Sequence, residues 1–134
     1  MQEKRAFKTD KYTEYRPIVS DGKSIRLPKG EKEFKRGDVV VHEGWRGVVY
    51  EDTRPYEDEV TLEISARLFE SMQFKVGTEW KIGDKVYLDT ASKLLVVGKG
   101  DVFVGTVMKY HENKGAIWYI QAPQPESLEP ETGE

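Results

Sequence analysis

Few residues here have the type and spacing to do chemistry. Histidine occurs only at His42 and His111. A metal or general-base site needs spaced His, Asp or Glu companions, and neither histidine has them. Both read as ordinary strand or turn positions. Acids crowd at Asp52, Glu57, Asp58 and Glu59, where a carboxylate pair would in principle support hydrolysis. Around Pro55 the stretch is charge-rich and lacks glycine, so it reads as a solvated loop. Gly98-x-Gly100 lacks the following helix, lysine and hydroxyl of a phosphate loop and reads as a hairpin turn. With no cysteine, a disulfide framework, a thiolate zinc site and a cysteine nucleophile are all excluded, which suits a reducing compartment. No nucleophile, base and orienting group can be named together, so a binding or structural protein is expected rather than an enzyme, with no cofactor and no metal.

Trp45 and Trp80, with Trp118 and seven tyrosines, offer flat faces for single-stranded nucleic acid or glycan. That is the alternative reading, a ligand-binding β-barrel using Trp45 and Trp80. An oligonucleotide barrel normally adds a basic groove, and the charge distribution argues against one. Residues 1–16 carry a net +2, residues 122–134 a net −4, and the stretch between about −1. Direct nucleic-acid binding is therefore not expected.

The elements that would position such residues are strands. Asp38 to His42, a Glu43-Gly44 turn and Trp45 to Tyr50 form a hairpin signal. Val60, Leu62, Ile64, Ala66 and Leu68 alternate with polar residues, which predicts one strand with one buried face. Lys85 to Leu88, Leu94 to Val97, Val102 to Met108 and Ala116 to Gln121 follow, with turn residues between them. Short strands at this spacing predict an all-β fold, a small β-barrel or tulip-like sandwich. Two stretches echo one another 46 residues apart: Phe34-Lys35-Arg36-Gly37-Asp38-Val39-Val40 and Trp80-Lys81-Ile82-Gly83-Asp84-Lys85-Val86. Gly37, Asp38, Gly83 and Asp84 are structural turn positions in this reading. The glycine turns the chain, the aspartate accepts hydrogen bonds from the backbone amides that follow, and the valines start a strand. The same turn accounts for the Arg36-Gly37-Asp38 adhesion tripeptide.

The predicted domain plan is an N-terminal arm (1–20), a β-domain (21–121) and an acidic, proline-rich tail (122–134). The tail's composition predicts disorder. The arm mixes Lys4, Arg5, Lys8, Lys11 and Arg16 with Phe7, Tyr12 and Tyr15, a pattern suited to lying on another surface. No window approaches the ~20 apolar residues of a membrane helix, and Met1 to Arg5 leads into no apolar signal region. Neither membrane insertion nor conventional secretion is expected.

The order of Gly37-Asp38-Val39-Val40-Val41, Gly44, Gly47-Val48-Val49, Gly83-Asp84-Lys85-Val86-Tyr87-Leu88-Asp89, Lys93-Leu94-Leu95 and Val104-Gly105-Thr106-Val107 resembles the capsid cement or head decoration proteins of tailed bacteriophages. The resemblance covers about residues 25–121. It implies a virion protein on the capsid exterior, made in the host cytoplasm, that binds the major capsid protein and neighbouring copies of itself and stabilises the shell. By that analogy the arm, with its Lys4, Arg5, Phe7, Lys8, Lys11, Tyr12, Tyr15 and Arg16, docks on the capsid, and the oligomer is a trimer. This chain departs from the family in its high charge, longer arm and acidic tail.

Overall fold

The structure is a computed structural model and describes residues 19–126. Among them there is no helix. Nine strands run in order: β1 (Ser24–Pro28), β2 (Val39–His42), β3 (Trp45–Val49), β4 (Glu59–Glu63), β5 (Leu68–Ser71), β6 (Lys85–Asp89), β7 (Leu94–Val97), β8 (Val102–His111) and β9 (Ala116–Gln121). They form two antiparallel sheets, β1-β4-β3-β2 and β5-β9-β8-β6-β7. Beyond the end of β5, Phe74 bridges Leu95 of β7 in parallel, so the five-stranded sheet curls until its two edges meet.

Glu43 and Gly44 both adopt positive φ (52° and 83°), the primed turn whose twist matches the strands it joins. The β2–β3 hairpin forms as expected. The stretch from Val60 to Leu68 does not form one strand. β4 stops at Glu63, Ile64 donates back to the Lys23 carbonyl, and Arg67 N donates to Ser65 O in a local turn. The chain then crosses to the other sheet as β5. The alternation persists through the crossing because both strands bury one face, and periodicity alone does not say against which sheet. β1, not foreseen as a strand, pairs along its whole length with β4.

The two sheets share one plan. In each, a first strand is followed by a Gly-Asp turn and then by the remaining strands, three in one sheet and four in the other, and the first lies beside the last. The order is β1-β4-β3-β2 in one sheet and β5-β9-β8-β6 in the other, with β7 added as a hairpin on β6. Each is a Greek-key arrangement. The pairing registers agree as well: Ile25 faces Leu62, and Phe69 faces Tyr119, at corresponding places.

The main core packs Val39 and Val48 of the first sheet against Val86, Leu88, Leu95, Val104, Val107, Ile117 and Tyr119 of the second, with Trp80. A second cluster of Phe34, Val49, Val60 and Leu62 fills out the four-stranded sheet. Two amide side chains bind the seams between the sheets. Gln73 accepts from Val39 N at 2.7 Å and donates to Val39 O at 3.0 Å. Gln124 accepts from Arg46 N at 2.9 Å and donates to Arg46 O at 2.6 Å. Each takes the place of a neighbouring strand, so buried edge groups keep their partners.

Candidate functional site

The Gly-Asp turns carry the clearest local geometry. Gly37 and Gly83 sit at φ 88° and 92°, a region that a Cβ makes costly. Gly37 N donates to Val49 O at 2.9 Å, Asp38 N to Lys35 O at 3.1 Å, and Val49 N to Asp38 O at 2.9 Å. The second turn repeats the set: Gly83 N to Val107 O at 2.9 Å, Asp84 N to Lys81 O at 3.0 Å, and Val107 N to Asp84 O at 2.9 Å. The preceding aromatics, Phe34 and Trp80, are both buried. The aspartates differ from expectation. Asp84 Oδ2 accepts from the amide of Lys81, which precedes it, at 2.8 Å. Asp38 has no counterpart of that bond; there, Asp52 Oδ1 accepts from Arg36 N at 2.8 Å. Burial and the nearby Asp52 charge raise Asp38 above the usual carboxylate range, and Lys35 offsets only part of this. These are folding devices, although Gly37 and Asp38 also line an open depression of about 400 Å³ together with Arg36, Glu70, Met72 and Gln73.

The carboxylates are spent on loop structure or stand in solvent. Glu57 Oε1 accepts from Arg54 N at 2.6 Å, while Glu51, Asp58 and Glu59 are exposed along an open depression of about 570 Å³ that Arg26 and Tyr56 also line. His42 is buried, its Nε2 donating to Pro28 O at 2.6 Å, with Phe34 edge-on at 5.0 Å. His111 packs at a tilt against Trp118, ring centres 4.4 Å apart, far along the chain from His42. Among the described residues no group of three or more His, Cys, Asp or Glu is placed to hold a metal.

Trp45 and Trp80 form no joint platform. Trp80 is 3% exposed in the main core, edge-on to Phe74, whereas Trp45 lies 37% exposed at the β2–β3 turn. The stacking platform proposed for nucleic acid or glycan therefore loses one of its two rings to the core.

The outer face of the five-stranded sheet was not visible in the sequence. Leu68, Ile120, Thr106 and Lys85 lie in one row across β5, β9, β8 and β6, and Glu70, Trp118 and Lys109 lie in the next. Leu68 and Ile120 are 48% and 43% exposed, and Met108 at the β8 bulge is 53% exposed. Glu70 accepts from Trp118 Nε1 at 2.8 Å and Lys114 Nζ at 3.0 Å, and these bonds hold it below the usual carboxylate range. Lys109 Nζ sits 5.7 Å from the centre of the Trp118 ring.

Arg46, fully buried, donates to the carbonyls of Phe103 and Ala122. Burial lowers its pKa to about 10. The same burial raises the Tyr119 phenol above its usual range despite the Arg46 charge. Together with Gln124, Arg46 ties the start of the acidic segment to the first sheet. The expected arm residues Lys4, Arg5, Phe7, Lys8, Lys11, Tyr12, Tyr15 and Arg16 lie outside the described residues, as does the end of the tail from residue 127.

What the fold presents is an all-β domain of paired Greek keys with shaped, charged outer surfaces. Residues 19–121 match the family model described as phage cement protein, and the chain belongs to that family. The searches of curated proteins and of solved structures gave no match. Membership assigns a structural, capsid-associated role in the virion.

Proposed function

We propose that this protein binds the outer surface of an assembled phage capsid and stabilises the shell, without catalysis and without a cofactor. The observation that carries the reading is the family match across residues 19–121, which spans every strand of the domain. In this reading residues 1–20 are the docking arm, 21–121 the β-domain and 122–134 an acidic tail that is anchored on the domain at Ala122 and Gln124 and whose acids keep the outer surface hydrated. Lys4, Arg5, Lys8, Lys11 and Arg16 meet acidic ground on the major capsid protein, and Phe7, Tyr12 and Tyr15 fill its apolar hollows. Many copies on one shell add avidity to each docking contact. The protein is made in the host cytoplasm, joins the shell there and contacts neighbouring copies, as a trimer by analogy.

The test is co-sedimentation with capsids lacking the protein, immature and expanded shells side by side. Saturable binding in a fixed ratio to the major capsid subunit, stronger on expanded shells, is the expected result. Deleting residues 2–16 leaves the domain folded and greatly weakens binding. No binding to either shell overturns the reading, and unchanged binding by the truncated chain overturns the arm's part in it.

A further inference from the structure

Two exposed surfaces have opposite chemistry, and neither is covered by any other described residue. One is the β3–β4 loop, where Glu51, Asp52, Glu57, Asp58 and the adjoining Glu59 outnumber Arg54, its one base. Tyr56 stands 78% exposed in that loop and Tyr50 54% exposed at its start. The other is the outer face of the five-stranded sheet. Across β5, β9 and β8 it carries an apolar patch, with Leu68, Ile120 and Met108 about half exposed beside Trp118. Its margin carries Lys85 and Lys109, while its acid, Glu70, is already bound to Lys114. An apolar patch in a polar rim is the composition of a contact surface, and an exposed tyrosine is a common anchor for one.

We propose that copies of this chain contact one another head to tail, the acidic Tyr56 loop of one copy seated on the Leu68–Ile120 face of the next. Charge complementarity selects a second copy as the occupant: a loop with a surplus of acids meets a face whose free charges at the margin are lysines. Tyr56 enters the apolar patch beside Ile120, and Glu51 and Asp58 face Lys85 and Lys109. The two patches differ, so the contact is heterologous and either closes into a ring or continues from copy to copy. This deepens the cement reading and rests on it for its setting, a shell on which copies lie side by side. The charged pairs lie at the rim and govern orientation and salt dependence, while the apolar patch holds the contact.

Sedimentation velocity of the full chain over a wide concentration range, at low and at high salt, tests it. The wild-type protein self-associates at low salt and less so at high salt. The double variants Glu51→Lys/Asp58→Lys and Lys85→Glu/Lys109→Glu each lower the association constant by about tenfold or more. The chain carrying all four changes has its charges exchanged and associates again. Circular dichroism confirms that each variant keeps the β-fold, and Tyr56→Ala, on a largely exposed tip, weakens association with little effect on stability. A protein that stays monomeric at every concentration, or single-patch variants that associate like the wild type, or a four-fold exchange that fails to restore association, overturns the proposal. Shell co-sedimentation of the same variants separates the two claims: shell binding that persists without self-association counts against this contact alone, and self-association without shell binding counts against the cement reading alone.

Discussion

Gly105 and Gly37 are glycines for different reasons. A Cβ at Gly105 would overlap the Ile120 carbonyl oxygen, so β8 and β9 approach too closely for any side chain there. At Gly37 a Cβ would meet open space, and only the positive φ resists it. Gly105→Ala therefore loses about 2–4 kcal/mol because a strand must move, and Gly37→Ala about 1–2 kcal/mol from backbone strain. Urea unfolding followed by tryptophan fluorescence measures both, and equal losses contradict the distinction. The two aspartates part in the same way. Asp84→Ala removes the acceptor of Lys81 N and costs about 0.5–1.5 kcal/mol. Asp38 has a pKa raised on folding, so its charge costs stability above the ordinary carboxylate range, and the cost fades as pH falls through the raised value. Asp38→Asn therefore gains less than about 1 kcal/mol at neutral pH, discounted for its partial exposure, and the gain disappears in acid. A pH series of unfolding midpoints for the variant and the wild type reads this directly.

At the scale of elements, the sheets are joined by side chains standing in for strands. Gln73 satisfies both backbone groups of Val39 where no strand lies beside β2, and Gln124 does so for Arg46 on β3. Gln73→Ala and Gln124→Ala each leave a buried edge residue without partners and cost about 1–3 kcal/mol. Amide hydrogen exchange locates the loss: Val39 N–H loses protection in the first variant and Arg46 N–H in the second. A uniform loss across the domain would show that these amides do not hold the seams. The elements also set the limit of what periodicity reveals. The alternation from Val60 to Leu68 marks a buried face correctly, but the chain changes sheets at Ile64 to Arg67 without interrupting it. β1 has the pattern exposed–intermediate and no run of apolar residues, so nothing local marks it as a strand apart from its partner β4.

At the scale of the molecule, two Greek keys share one core. Val39 and Val48 of the first sheet lie in the cluster that holds Trp80, Val104 and Tyr119, so neither half keeps its burial alone. Residues 19–126 accordingly unfold in a single transition despite their internal repetition. Far-ultraviolet circular dichroism, which reports both sheets, and the fluorescence of a Trp45→Phe/Trp118→Phe chain, whose remaining Trp80 reports the core, give coincident curves in guanidinium. Separate midpoints would mean that the halves fold independently.

The strand class, the β2–β3 hairpin, both Gly-Asp turns and the order of motifs that marks the cement family are all local. They depend on residue type and on spacings of a few positions, which a chain displays before it folds. The echo at residues 34–40 and 80–86 is local too, but it shows only a repeated turn. That this turn opens two sheets of the same strand order is a matter of long-range pairing, β1 with β4 and β5 with β9, and no sequence period records which distant strand completes a sheet. Trp80 and Trp45 look alike in the sequence, and only packing sends one into the core and leaves the other at a turn. The outer face of Leu68, Ile120 and Lys85 likewise gathers residues from three separated strands, so tertiary structure alone decided that it exists.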